Sequence, residues 1–166
     1  MNANYIISHL QLQPHPEGGF FKELYRASET IASDALPSRF PGERNFSTAI
    51  YYLLRQGERS LFHRIKSDEC WHFYAGDTLL LHVLEEGGNY YCIKLGSNIY
   101  LGETFQFVVP SSSWFAAEPA ADTDFSLCGC TVSPGFEFAD FELADKQELL
   151  NSFPEWDEII TRLCKE

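Results

Sequence analysis

From Phe20 onward the chain is a train of short runs rich in aromatic and branched residues: "FFKELYRA", "FSTAIYYLL", "SLFHRIK", "CWHFYAG", "TLLLHVLE", "NYYCIKLG", "TFQFVVP", "WFAAEP" and "FSLCGCTV". Such runs read as strands, and the breaks "RQGE", "AGD", "EEGGN", "GSN" and "SPG" read as turns. Without long intervening helices, the pattern predicts an antiparallel sandwich or barrel. The 166 residues suit one domain with a sizeable core, residues 1–166, with a β core from about 18 to 140 and no repeat or linker dividing it.

The two ends read differently. "ANYIISHLQL", residues 3–12, has near-helical apolar spacing stopped by Pro14. Near the other end, about residues 143–165, Leu149, Leu150, Phe153, Trp156, Ile159, Ile160 and Leu163 again fall near helical spacing. There Ser152 with Glu155 has the form of a capping box, and Pro154 suits a first turn. Two short outer helices are expected. Residues 28–45, rich in Ser, Pro and Asp, read as an irregular loop that carries Arg39 and Arg44 and either covers a pocket mouth or is a solvated connection.

Twelve Lys and Arg against 24 Asp and Glu give a net charge of −12, which repels phosphate backbones and anionic headgroups, so neither nucleic acid nor membrane is an expected partner. The start "MNANYIISHLQLQP" lacks the basic end and cleavage site of a signal peptide. The cysteines number five, an odd count that argues for free thiols and, with that start, for the cytoplasm. Cys128 and Cys130 share one strand face and read as small buried residues. Aromatic residues make up 15%, which fits strands and a pocket with flat apolar walls.

The chemistry concentrates in "GERSLFHRIKSDECWHFYAG". Strand parity puts His63 and Ile65 on one face, and Glu69, Trp71 and Phe73 on one face, with His72 and Tyr74 opposite. A hairpin through "KSD" is expected to set Glu69 across from His63. This stretch resembles the first motif of the cupin superfamily: Gly57, His63, Glu69 and Gly76 stand at its spacing, while Ile65 replaces its second histidine. The second motif is poorer, matching at Pro110 but with Ser112 and Phe115 in place of its glycine and last histidine. With "PHPEGGFF", "STAIYYLL" and "VVPSSSWFAA", the chain also resembles a small, largely uncharacterised single-domain cupin family over most of residues 13–132. The resemblance implies an all-β cupin jelly-roll barrel with short N-terminal and C-terminal helices, commonly a homodimer.

Three functions compete. Cupin metal sites use three histidines and a glutamate; only His63 and Glu69 stand at those positions, two ligands bind a metal weakly, and His72 and His82 are poor thirds, so no cofactor is expected ahead of a divalent metal. Metal-free catalysis has His63 as general base, oriented by Glu69, removing a proton alpha to a carbonyl. Deoxysugar epimerases of the same fold imply this isomerase reading, with Tyr25, Tyr51, Tyr52 and Tyr74 as candidate acids. A non-catalytic binder of a small polar, sugar-like ligand is the alternative. In either case "HPEGG" closes one end of the pocket or simply turns into a strand, with His15 extended before Pro16 and Gly18 and Gly19 free to adopt positive φ. Glu17 is expected to meet hydroxyl or amine groups and Arg26 an anion, while Trp71 and Trp114 are expected to be walls of the pocket.

Overall fold

The computed structural model describes residues 2–121 and 124–165. Asn2 starts helix α1 (Ala3–Leu10), its side chain accepting the Tyr5 amide at 2.9 Å, and Gln11 ends it in the left-handed region at φ 56°. The chain then runs through β1 (Gln13–Pro14), β2 (Phe20–Arg26) and a two-stranded ribbon, β3 (Thr30–Ile31) with β4 (Arg44–Asn45). β5 (Thr48–Arg55), β6 (Ser60–Arg64), β7 (Asp68–Gly76), β8 (Leu79–Leu84) and β9 (Tyr90–Leu95) follow. β10 (Gln106–Val109), β11 (Trp114–Pro119), β12 (Phe125–Ser133) and β13 (Glu142–Leu143) complete the sheets, and α2 (Lys146–Ser152) and α3 (Asp157–Leu163) end the chain.

All named strand pairs are antiparallel, as expected for a jelly roll. One sheet has the order β1-β2-β5-β12-β7-β10, the other β13-β6-β11-β8-β9. Their inner faces meet in a core built from Tyr52, Leu54, Trp71, Cys128, Cys130 and Val132 on one side and Leu79, Leu81, Val83, Phe115 and Ala117 on the other. The alternation of each strand supplies these residues, because a side chain in every second position faces inward. α2 and α3 cover the outer face of the five-stranded sheet through Phe62, Leu84, Ala116, Ile160 and Leu163. α1 packs on the other sheet at Leu53, Phe125 and Leu127. Among the described residues no helix is long and apolar enough to cross a membrane.

Three local expectations are corrected. The "KSD" link is not a hairpin: β6 belongs to the five-stranded sheet and β7 to the six-stranded one, so the link crosses between sheets and Glu69 approaches the lumen from the opposite wall. The capping box at Ser152 does not form; Pro154–Trp156 make a 3-10 turn, and the Ser152 hydroxyl donates to the Glu148 carbonyl instead. Asp145 caps α2 by accepting the Glu148 amide at 2.9 Å. In β2 strict alternation predicts Phe21 and Tyr25 on one face and Lys22 and Arg26 on the other, but a bulge between Glu23 and Tyr25 breaks it, so Tyr25 turns outward while Arg26 turns in.

The loop over residues 28–45 is pinned rather than free. Arg44 is buried and donates from Nε and Nη2 to the two Asp140 carboxylate oxygens, each at 2.6 Å, while Nη1 reaches the Gly42 and Glu43 carbonyls. Hydrogen bonding to Asp140 raises the Arg44 pKa. Arg44→Ala leaves the Asp140 carboxylate buried without that partner, and is expected to cost about 3 kcal/mol in denaturant unfolding; a loss under about 0.5 kcal/mol would show the pair to be only a surface contact.

Candidate functional site

The turn "HPEGG" is built to press against β6. Leu61 donates its amide to the Glu17 carbonyl at 3.0 Å, and Gly18 has φ 117°. A Cβ on Gly18 would sit 2.0 Å from the Arg59 carbonyl oxygen, and one on Gly19 2.5 Å from Leu54. Only glycines allow this approach, and the approach buries the Glu17 side chain beside β6.

There Glu17, not Glu69, is the partner of His63. Glu17 Oε2 lies 3.0 Å from His63 Nε2, and Glu17 Oε1 accepts the Ser60 hydroxyl at 2.9 Å. His63 Nδ1 lies 2.7 Å from the Leu61 carbonyl oxygen, which can only accept, so that nitrogen carries a proton. The backbone thus holds His63 by Nδ1, and its Nε2 stands against the Glu17 carboxyl.

His15 is in a different state. Its Nδ1 accepts the Glu17 backbone amide at 3.3 Å, which leaves the proton on Nε2 and the ring neutral. The 3.7 Å spacing to Glu17 Oε2 is then a close approach and not an ion pair. Burial, the largest influence, lowers the His15 pKa below 6.5, with Glu17 opposing and His63 adding to the shift. Among the described residues His15 Nε2–H has no protein acceptor.

These groups line a cavity of about 90 Å³ with Glu69, Ile65, Phe21, Cys130 and Val132, rimmed by Arg26, Glu23, Glu137, Phe136, Phe138 and Phe141. Glu69 faces it from β7, and burial first, then the charge of Glu17, pushes its pKa up to about 8. Near neutral pH it is a carboxylic acid, able to donate as well as accept.

Several expected site residues fall elsewhere. Trp71 is buried in the core against Tyr52 and Phe115, and Trp114 lies on the outer face under the Arg64 guanidinium, 4.3 Å from its ring; neither lines the cavity. Tyr25 and Tyr74 are half-exposed, and Tyr51 packs edge-on against Tyr74. Tyr52 is buried with its hydroxyl donating to the Gly18 carbonyl at 2.7 Å. None of these four tyrosines is among the lining residues. Arg26 does line the mouth, yet its donors go to protein acceptors. The 28–45 loop contributes no lining residue. His82 is the packed histidine its neighbours suggest, 2.8 Å from the Tyr90 hydroxyl. The Phe136–Phe141 rim went unread in the sequence, although "GFEFADF" places apolar rings and acids alternately just past the last long strand.

The donor set does not fit a cupin metal centre. Ile65 and Phe115 stand at two histidine positions, and Phe115 packs on the His63 ring with centroids 4.1 Å apart. Among the described residues no three His, Cys, Asp or Glu side chains are placed to hold a metal ion.

A family model described as Cupin superfamily (DUF985) matches residues 4–144. The uncharacterized protein YML079W of Saccharomyces cerevisiae is 29% identical over 153 residues, covering 81% of this chain and 71% of its own. Two solved structures superimpose along essentially the whole length. One is a hypothetical protein from Leishmania major at TM-score 0.90 and 32% identity, covering 100% of both chains. The other is a Shewanella oneidensis protein at 0.88 and 38%, covering 99% of this chain and 98% of that one. Oxalate decarboxylase from Bacillus subtilis, at TM-score 0.55 and 15% identity over 90% of this chain and 36% of its own, shares the fold alone.

Proposed function

The chain belongs to the DUF985 family of the cupin superfamily, and from that premise we propose that it is a metal-independent acid–base isomerase of a small carbonyl compound held in the lumen. The observation that carries this reading is two carboxyl groups with different surroundings in one cavity: Glu17, which accepts the Ser60 hydroxyl and lies 3.0 Å from His63 Nε2, and Glu69, kept protonated to about pH 8. A carboxyl held protonated across the cavity from a second carboxyl offers one ligand both an acid and a base.

Glu17 takes the role of base. Its carboxylate removes a proton alpha to the ligand carbonyl, the C–H electron pair becomes the C=C bond of an enolate, and the carbonyl oxygen gains the charge. The Glu69 O–H and the His15 Nε2–H are the donors that receive that oxygen. In an alpha-hydroxy carbonyl compound the hydroxyl proton passes to the enolate oxygen, the hydroxyl oxygen becomes the new carbonyl, and the C=C pair takes the proton back from Glu17 at the former carbonyl carbon, which completes an isomerisation. His63, whose Nδ1 is held by the Leu61 carbonyl, is the positioning residue for Glu17.

The test is solvent exchange. Small ketones, hydroxyketones and free sugars are incubated with the protein in D2O, and deuterium uptake alpha to the carbonyl is read by proton NMR. Catalysed uptake that disappears in Glu17→Gln supports the proposal. A panel member that shifts the protein's own NMR signals but exchanges no faster than in buffer favours the second reading, a non-catalytic ligand-binding cupin. What speaks for that alternative is that His63 and Glu17 are each already held by a protein group, the Leu61 carbonyl and the Ser60 hydroxyl.

We further infer a cytoplasmic homodimer. Its support is the free state of all five cysteines, and a row of partners Tyr25, Ala49, Thr131, Cys70 and Val108 across the outer face of the six-stranded sheet, where Tyr25 and Val108 are half-exposed. Light scattering is expected to read twice the 19.0 kDa chain mass.

A further inference from the structure

Among the residues that line the cavity, Arg26 is the sole Lys or Arg, and it has nothing left to offer a ligand. Its Nε and one Nη2–H donate to the Glu23 carboxylate at 3.0 and 2.8 Å. Nη1 donates to Glu137 at 2.6 Å and to Asn45 at 2.9 Å, and Nη2 also reaches the Phe136 carbonyl at 3.1 Å. A guanidinium has five N–H donors, and these five contacts use them all. One guanidinium against two carboxylates also leaves the mouth with a net negative charge.

The rest of the cavity repeats the pattern. His63 Nδ1 is held by the Leu61 carbonyl and its Nε2 stands 3.0 Å from the Glu17 carboxyl, and the free donor of His15 belongs to a neutral ring. The half-exposed Phe138 packs edge-on against Phe136 at 5.1 Å, and ring faces repel anions while attracting cations. A phosphate or carboxylate arriving at this mouth would lose water and gain no free cationic donor.

We propose that the ligand is uncharged or cationic at the end it leaves in the mouth, and that the cavity rejects the phosphorylated, nucleotide-linked and dicarboxylate forms of small carbonyl compounds. The inference rests on the acid–base reading for the ligand's inner end. It makes Glu23 and Glu137 specificity-determining residues that act by occupying Arg26. It also removes nucleotide sugars from the substrates to be screened.

The experiment is a binding titration, which does not depend on turnover. The Arg26 Nε–Hε signal of nitrogen-15-labelled protein is followed while inorganic phosphate, and then dihydroxyacetone phosphate, is added at constant ionic strength. The wild type is expected to show no saturable change with either. Glu23→Gln/Glu137→Gln is expected to gain saturable binding of both, at least ~10-fold tighter than any wild-type response, because freed guanidinium donors take phosphate in bidentate fashion. Glu137→Gln alone, at a partly exposed position, serves if the double variant does not fold, and is expected to gain part of the effect. Saturable movement of the wild-type signal overturns the proposal, and so does a folded variant that gains nothing. A failure of the acid–base reading shows instead as absent deuterium exchange with uncharged carbonyl compounds, whatever the phosphate titration reads.

Discussion

Glu17→Gln is expected to lower the rate of alpha-proton exchange by about 10³-fold, within the range that a positioned base contributes. The amide keeps the size of the carboxyl and can still accept the Ser60 hydroxyl, so the variant should fold and still bind the carbonyl compound. It cannot take up the proton. His63→Ala acts on the same step by another route: it strips Glu17 of the contact at 3.0 Å that holds it. Stability should fall along with the rate, because a buried carboxylate is left unpaired. The two variants therefore separate base from support. If Glu17→Gln exchanges at the wild-type rate while His63→Ala does not, the base is the imidazole and not Glu17.

The second large effect is on stability. Glu69 has a folded pKa of about 8 against an ordinary 4.5, raised mainly by burial and then by Glu17. Between those two values the unfolded chain releases this proton and the folded chain keeps it. The contribution of Glu69 is fully present below about pH 4.5 and is lost as pH rises towards 8, at up to about 1.4 kcal/mol per pH unit. Above the folded pKa the loss levels off. Glu69→Gln removes the titration, so its stability relative to wild type should improve across this window by a total on the order of 4 kcal/mol. Urea unfolding of both proteins from pH 4.5 to 8.5 measures the difference. His15, whose lowered pKa makes it act with the opposite sign below 6.5, is present in both and drops out of the comparison. Parallel curves for the two proteins would mean that Glu69 enters the fold ionised.

The strands were legible because their short aromatic runs carry their own turn signals, and because Trp71 with Phe73, and Cys128 with Cys130, face the core by alternation. The alternation failed where a bulge inserted a residue, in β2, and this moved Tyr25 out and Arg26 in. The site was half legible. His63 and Glu69 follow from the resemblance of one stretch to the cupin motif, His15, Glu17 and Arg26 are expected at one end of the pocket, and all five line the cavity. The relation of His63 to Glu69 was misread, because spacing along a chain does not tell a hairpin from a crossing between sheets. Glu17 lies 46 residues before His63 and joins it only through the backbone contact between the glycine turn and β6. Nothing local in "HPEGG" announces that contact. Trp71 and Trp114 drew attention as large rings, but a ring's size says nothing about which side of a wall it is on.

The crossing between β6 and β7 has a kinetic consequence. His63 and Glu69 lie on opposite sheets, Glu17 arrives from the N-terminal turn, and the Phe136–Phe141 rim follows the last long strand. No single hairpin holds the cavity, so it comes into being only when distant parts of the chain have closed on one another. Topologies of this kind fold on the millisecond-to-second scale, because loop closure must precede the contacts that reward it. The recovery of ligand binding during refolding should accordingly lag behind the recovery of strand signal in circular dichroism.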